Sequence, residues 1–143
     1  VKKAFLIFVL AVSLTQAGCP KGAYHDAVIA EHSFKTAVGS FQKAELIEFQ
    51  MGRISPEEHK VIEAQVEKIA LAGQALTQAL QSGATSTTVN ERFGLLSQAL
   101  SDLLKSGVLG IKNENSKMVL QVAIVTAQDI LQNVSQFLPA GSF

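Results

Sequence analysis

Ser55-Pro56-Glu57-Glu58-His59-Lys60-Val61-Ile62 is the stretch whose reading decides the fold. Ser55 suits an N-cap, Pro56 the first helical position, and Glu58 the third, where its carboxylate can close a capping box. Beyond it, Ile62, Val66, Ile69, Gly73, Leu76 and Leu80 recur at alternating intervals of four and three, the buried stripe of an amphipathic helix. Gly83 is placed to end it.

Similar stripes lie on either side. Upstream, Ala27, Ala30, Phe34, Ala37, Phe41 and Ala44 predict a helix over 26–51 stopped by Gly52. Downstream, 84–87 reads as a polar connector and Thr88-Val89-Asn90-Glu91 as a second capping box. The helix that follows turns Val89, Phe93, Leu96, Leu100 and Leu103 inward and ends near Gly107. The next connector, 107–112, is unusually apolar, and Val108, Leu109 and Ile111 are expected to tuck over the end of the domain. A last helix starts near Asn113 and carries Leu120, Ile124, Ala127, Leu131, Val134 and Leu138 inward until Pro139 stops it.

Proline occurs only at 20, 56 and 139 and no period-2 alternation is sustained, so no strands are expected. The predicted fold is all-α: an antiparallel four-helix bundle built from two helical hairpins. A turn between Gly52 and Ser55 sets Phe34 against Gly73 and Phe41 against Val66. Gly73 is then expected to make room for Phe34, so that Gly73→Leu overpacks the pair. The second hairpin is expected to set Phe93 against Ala127 and Leu96 against Ile124.

The chain opens Val1-Lys2-Lys3, runs without charge through Ala4-Phe5-Leu6-Ile7-Phe8-Val9-Leu10-Ala11-Val12-Ser13-Leu14, and continues Thr15-Gln16-Ala17-Gly18-Cys19. A basic start, a short apolar stretch and small residues at the exit are the layout of an export signal, too short for a membrane span of about 20 residues. Ala17-Gly18-Cys19 resembles the end of a bacterial lipobox, with Gln16 where that motif usually has Leu. The resemblance implies a bacterial lipoprotein: cleavage before Cys19 and lipidation of the Cys19 sulfur, with diacylglyceryl chains of the palmitate type holding the protein to a membrane of the cell envelope. Pro20, where many inner-membrane lipoproteins have Asp, implies the outer membrane in a host with two. The competing reading is secretion, with cleavage after Ala17 because Thr15 and Ala17 are small, leaving a free thiol at Cys19.

The expected organisation is therefore a signal peptide over 1–18, a lipidated N-terminus and tether over 19–25, a bundle over 26–138 and a tail over 139–143. Removing 18 residues, Lys2 and Lys3 among them, from the 143 leaves 125 residues with a formal charge of −2. With Lys plus Arg and Asp plus Glu both at 12 in the whole chain, there is no basic excess to attract a phosphate backbone, and no nucleic-acid partner is expected.

Chemistry-bearing motifs are sparse. His25 and His32 lie seven apart with Asp26 and Glu31 beside them, and His59 falls in a first helical turn, but the residues three before each are Gly22, Ile29 and Pro56. None forms the Glu-x-x-His pair of di-metal bundles, so these histidines are expected to be solvated or half-buried at the surface and no metal is expected. Glu57-Glu58 suits a helix start, where the dipole favours negative charge. There is no nucleophile elbow, phosphate-binding loop or dinucleotide turn, so neither catalysis nor a cofactor is expected. The run Met118–Ala127 is apolar nearly all round. It suits the most buried helix, a face for a partner protein or homo-oligomer, or the lining of a pocket for an apolar molecule. The reading is a lipid-anchored envelope protein with a structural or protein-interaction role, set against an exported carrier of an apolar small molecule.

Overall fold

The computed structural model describes residues 25–138. The leader, Cys19, the tether up to residue 24 and the tail over 139–143 lie outside the described residues, as does the side chain of His25. Four helices, α1 (His25–Gln50), α2 (Pro56–Gln81), α3 (Ser86–Asp102) and α4 (Glu114–Ser135), form an antiparallel bundle. A π-helical turn, Leu103–Gly107, and a 3-10 turn, Val108–Gly110, join α3 to α4. The described residues contain no strand.

The boundaries follow from satisfying backbone groups. Ser55 Oγ accepts from the Glu58 amide and Glu58 Oε2 accepts from the Ser55 amide at 2.7 Å, which is the capping box expected for α2. Glycines at positive φ, Gly52 at 69° and Gly83 at 67°, close α1 and α2. The following amides of Arg53 and Ala84 reach back to the carbonyls of Glu48 and Ala79, the longer bond of a Schellman turn. Asn113 caps α4 by accepting from the Ser116 amide. At α3 the start differs from expectation: Thr85 is the N-cap, accepting from the Thr88 amide, and the helix begins ahead of the Thr88–Glu91 motif. Once Thr85 occupies the cap, Thr88 is its N3 partner.

The predicted stripes of α2, α3 and α4 are buried along their whole length. Of the apolar connector, Val108 and Ile111 are buried, whereas Leu109 is 47% exposed and does not tuck in. The stripe of α1 requires the larger correction. Its buried row is Ala27, Glu31, Phe34, Val38, Phe41, Glu45 and Glu48, while Ala30, Ala37 and Ala44 are half-buried beside it. Helical spacing puts those alanines on the side of α1 that faces α4, where Glu48 meets Ser116. Small side chains there permit close approach, and α1 packs more extensively on α4 than on α2. The other large interface is α2 on α3, and among these neighbours α3 and α4 touch least, leaving that side of the bundle open.

The register of the first hairpin is as expected: Glu31 meets Thr77, Phe49 stacks on His59, and Phe34 and Gly73 line one small cavity of about 30 Å³. A Cβ built at Gly73 meets nothing within 4 Å, so the first carbon of a side chain fits beside Phe34. Gly73→Ala should therefore stabilise the protein, by about 0.5–1 kcal/mol, through its better helix propensity. Urea unfolding of the two proteins checks this; a loss of stability would mean that the gap beside Phe34 is closed in solution.

Candidate functional site

The buried acids of α1 are the feature that hydrophobic periodicity missed. Glu31, Glu45 and Glu48 are 2%, 5% and 7% exposed. An unpaired buried carboxylate is strongly unfavourable, so each needs a donor, and each finds one on a neighbouring helix. Thr77 of α2 donates to Glu31 Oε1 at 2.8 Å, and Lys35 Nζ lies 3.1 Å from the same oxygen. Ser116 of α4, fully buried, donates to Glu48 Oε2 at 2.6 Å, and Arg53 reaches Glu48 from the turn after α1 at 3.3 Å. His59 of α2 places Nδ1 2.7 Å from Glu45 Oε1 and Nε2 3.3 Å from Glu63 Oε1, with its ring stacked on Phe49 at 3.9 Å between centroids. A fourth carboxylate, Glu58, accepts through Oε1 from the Lys112 amide at 2.8 Å, joining the start of α2 to the connector before α4.

These environments pull the carboxyls in opposite directions. Burial pushes Glu45 above its ordinary value despite the hydrogen bond and charge of His59. The Ser116 hydrogen bond, helped by Arg53, holds Glu48 below its ordinary value against desolvation. Donation by the Ser55 amide, then by the Lys112 amide, holds Glu58 low. In each case the carboxylate is already engaged by groups that build the bundle.

The predicted site residues are scattered. Cys19 and the side chain of His25 lie outside the described residues. His32 is exposed. His59 is half-buried, within what the sequence leads one to expect, and sits between Phe49 and the two glutamates because α1 covers it. Among the described residues, no group of three or more His, Cys, Asp or Glu is placed to hold a metal ion. Glu57 is exposed in the first turn of α2, where the helix dipole favours negative charge.

Two surface features remain. The open side between α3 and α4 holds a groove of about 470 Å³, whose walls carry the apolar Phe93, Leu100 and Leu131 and the polar Gln128, Asp129 and Gln132. The second is on α4 itself. Within the run 118–127, Leu120, Ile124 and Ala127 are core, whereas Met118, Val119, Val122 and Val125 are 61%, 49%, 64% and 43% exposed.

The buried acids make a signed prediction. Glu48, with its lowered carboxyl, contributes stability that is present above the unfolded carboxyl value and lost as pH falls through the folded one. Glu45, with its raised carboxyl, contributes stability that is present at low pH and lost as pH rises through its folded value. Glu48→Gln should therefore destabilise more at pH 7 than at pH 3, and Glu45→Gln should gain on the wild type as pH rises. Urea midpoints across that range test both; parallel trends for the two variants would contradict the assignment. Ser116→Ala, which removes the shorter of the two hydrogen bonds to Glu48 Oε2 and leaves Arg53 at 3.4 Å, should cost about 1–3 kcal/mol at pH 7.

No protein-family model matches the chain, and no curated protein or solved structure matches it significantly.

Proposed function

We propose that the protein is a small lipid-anchored component of a bacterial cell envelope, attached through acyl chains on Cys19, whose helical bundle has a structural or protein-interaction role. The observation that carries the anchor is the position of Cys19. It is the single cysteine of the chain, it follows a basic and then apolar leader and the small pair Ala17-Gly18, and it stands six residues before the first residue of α1. Among the described residues no helix is long and apolar enough to cross a membrane. Each buried methylene contributes about 0.8 kcal/mol, and two or three chains hold a protein where one binds marginally. The exposed apolar side chains of α4 support the interaction role: their exposure in a single copy of the bundle leaves an apolar surface for a partner.

A second reading, an exported carrier of an apolar small molecule, is favoured by the groove between α3 and α4, whose volume lies within the range of about 300–1,000 Å³ usual for ligand sites. Its mixed lining and open mouth suit an amphipathic molecule better than a purely apolar one.

Fractionation of cells expressing the wild type and Cys19→Ser, with mass measurement of the mature N-terminal peptide, tests the anchor. The expected result is a membrane-bound wild type beginning at acylated Cys19, and a variant that is released or left unprocessed. A soluble wild type beginning at Gly18 with a free thiol would overturn it. Native mass spectrometry of the purified protein separates the two roles: a retained small-molecule mass favours the carrier, and its absence together with a protein assembly favours the interaction module.

A further inference from the structure

The groove between α3 and α4 has a single sign of charge. Over its two walls, 93–101 of α3 and 118–135 of α4, Asp129 is the only charged residue, and it lines the groove. Among the described residues it has no ion-pair partner. The groove runs to Ser135, the last residue of α4, and the last turn of that helix carries no basic residue, so the carboxyl-end dipole adds to the negative potential. The start of α3, whose dipole has the opposite sign, lies about two turns before Phe93, beyond the turn within which such a dipole acts.

The remaining lining divides by polarity. Phe93, Leu100 and Leu131 supply apolar surface, while Gln128 and Gln132 supply side-chain amides. Asn90 shares one face of α3 with Phe93 and Ser97, at spacings of three and four, and its Oδ1 is buried with no donor among the described residues. A buried acceptor in that state is unfavourable until an N–H or O–H reaches it. A free carboxylate, amide carbonyls and an apolar floor together select a molecule that is a cationic donor at one end and apolar at the other. We propose that this groove binds an amphipathic amine, its ammonium group held by Asp129 and its hydrocarbon lying over Phe93, Leu100 and Leu131. An anionic amphiphile would be repelled by Asp129, and a neutral one would leave that carboxylate uncompensated. The inference rests on the carrier reading given above, which it narrows from any amphipathic molecule to a cationic one, and it is independent of the anchor on Cys19.

Three probes of equal chain length and different head charge read the outcome: octylammonium, 1-octanol and octanoate, each titrated into the full chain below its self-association limit, with amide NMR shifts locating the binding. Octylammonium is expected to bind about tenfold more tightly than 1-octanol, and octanoate least. The shifts are expected at Ser97, Gln128, Gln132 and Ser135. Asp129→Asn is expected to lower octylammonium to the level of 1-octanol while leaving 1-octanol itself and the melting temperature unchanged, because Asp129 is exposed. Ser97→Trp, at an exposed position of the α3 wall, is expected to block all three. Octylammonium and 1-octanol binding alike, octanoate binding as tightly as the amine, or amine binding that survives Asp129→Asn would each overturn the assignment to an amine and leave the carrier reading standing. Saturable binding by none of the three, or shifts confined to residues outside the groove, overturns both. In every case the mass of the Cys19 peptide decides the anchor separately.

Discussion

Three carboxylates buried on one helix constrain how that helix can sit. Sliding α1 by a turn against α2 would part Glu31 from Thr77 and Glu45 from His59 together, and moving it on α4 would part Glu48 from Ser116. Apolar side chains tolerate such shifts because Leu and Val pack against many alternatives; a buried carboxylate without its donor does not. The acids therefore contribute less to the depth of the native state than to its uniqueness. They specify which helix lies on either side of α1 and at what height, a device comparable to a single polar residue in the seam of a coiled coil.

Much of the fold was legible because α2, α3 and α4 place apolar residues at nearly every buried position, so that periodicity and burial coincide. On α1 they part company. Hydrophobicity selected Ala30, Ala37 and Ala44, which do lie against the core but on its α4 flank, and passed over Val38 because it breaks the alanine row. The continuation of the 27–34–41 spacing through 31, 38, 45 and 48 was available in the sequence. Reading it requires accepting glutamate at core positions, and the donors that make this tolerable, Thr77, His59 and Ser116, come from other helices. The same limit explains His59: its first-turn position was legible, its cover by Phe49 was not. Thr85 and Thr88 are both competent caps, and local sequence does not rank them. Leu109 was assigned to the interior by composition, whereas the 3-10 turn aims it outward.

The two ends of the bundle differ in kind. At the end holding Gly52, Glu58 binds the amides of both Ser55 and Lys112, and the π turn packs Gly107 so closely that a Cβ would lie 3.0 Å from Leu103. The opposite end, where α1 begins and α4 finishes, is the one from which the proposed tether leaves.

The closure of the bundle by α1 against α4 joins the first described helix to the last, and this sets an order of events. A chain synthesised from its N-terminus delivers α1 first and its principal partner last. The hairpin of α2 and α3, whose contacts are local in sequence, can assemble before α4 is available. Until α4 arrives, Glu48 lacks Ser116 and its carboxylate stays hydrated. The residues that later fix the position of α1 would thus keep it from collapsing early, making the same glutamates a source of specificity in the finished protein and of delay in the unfinished one.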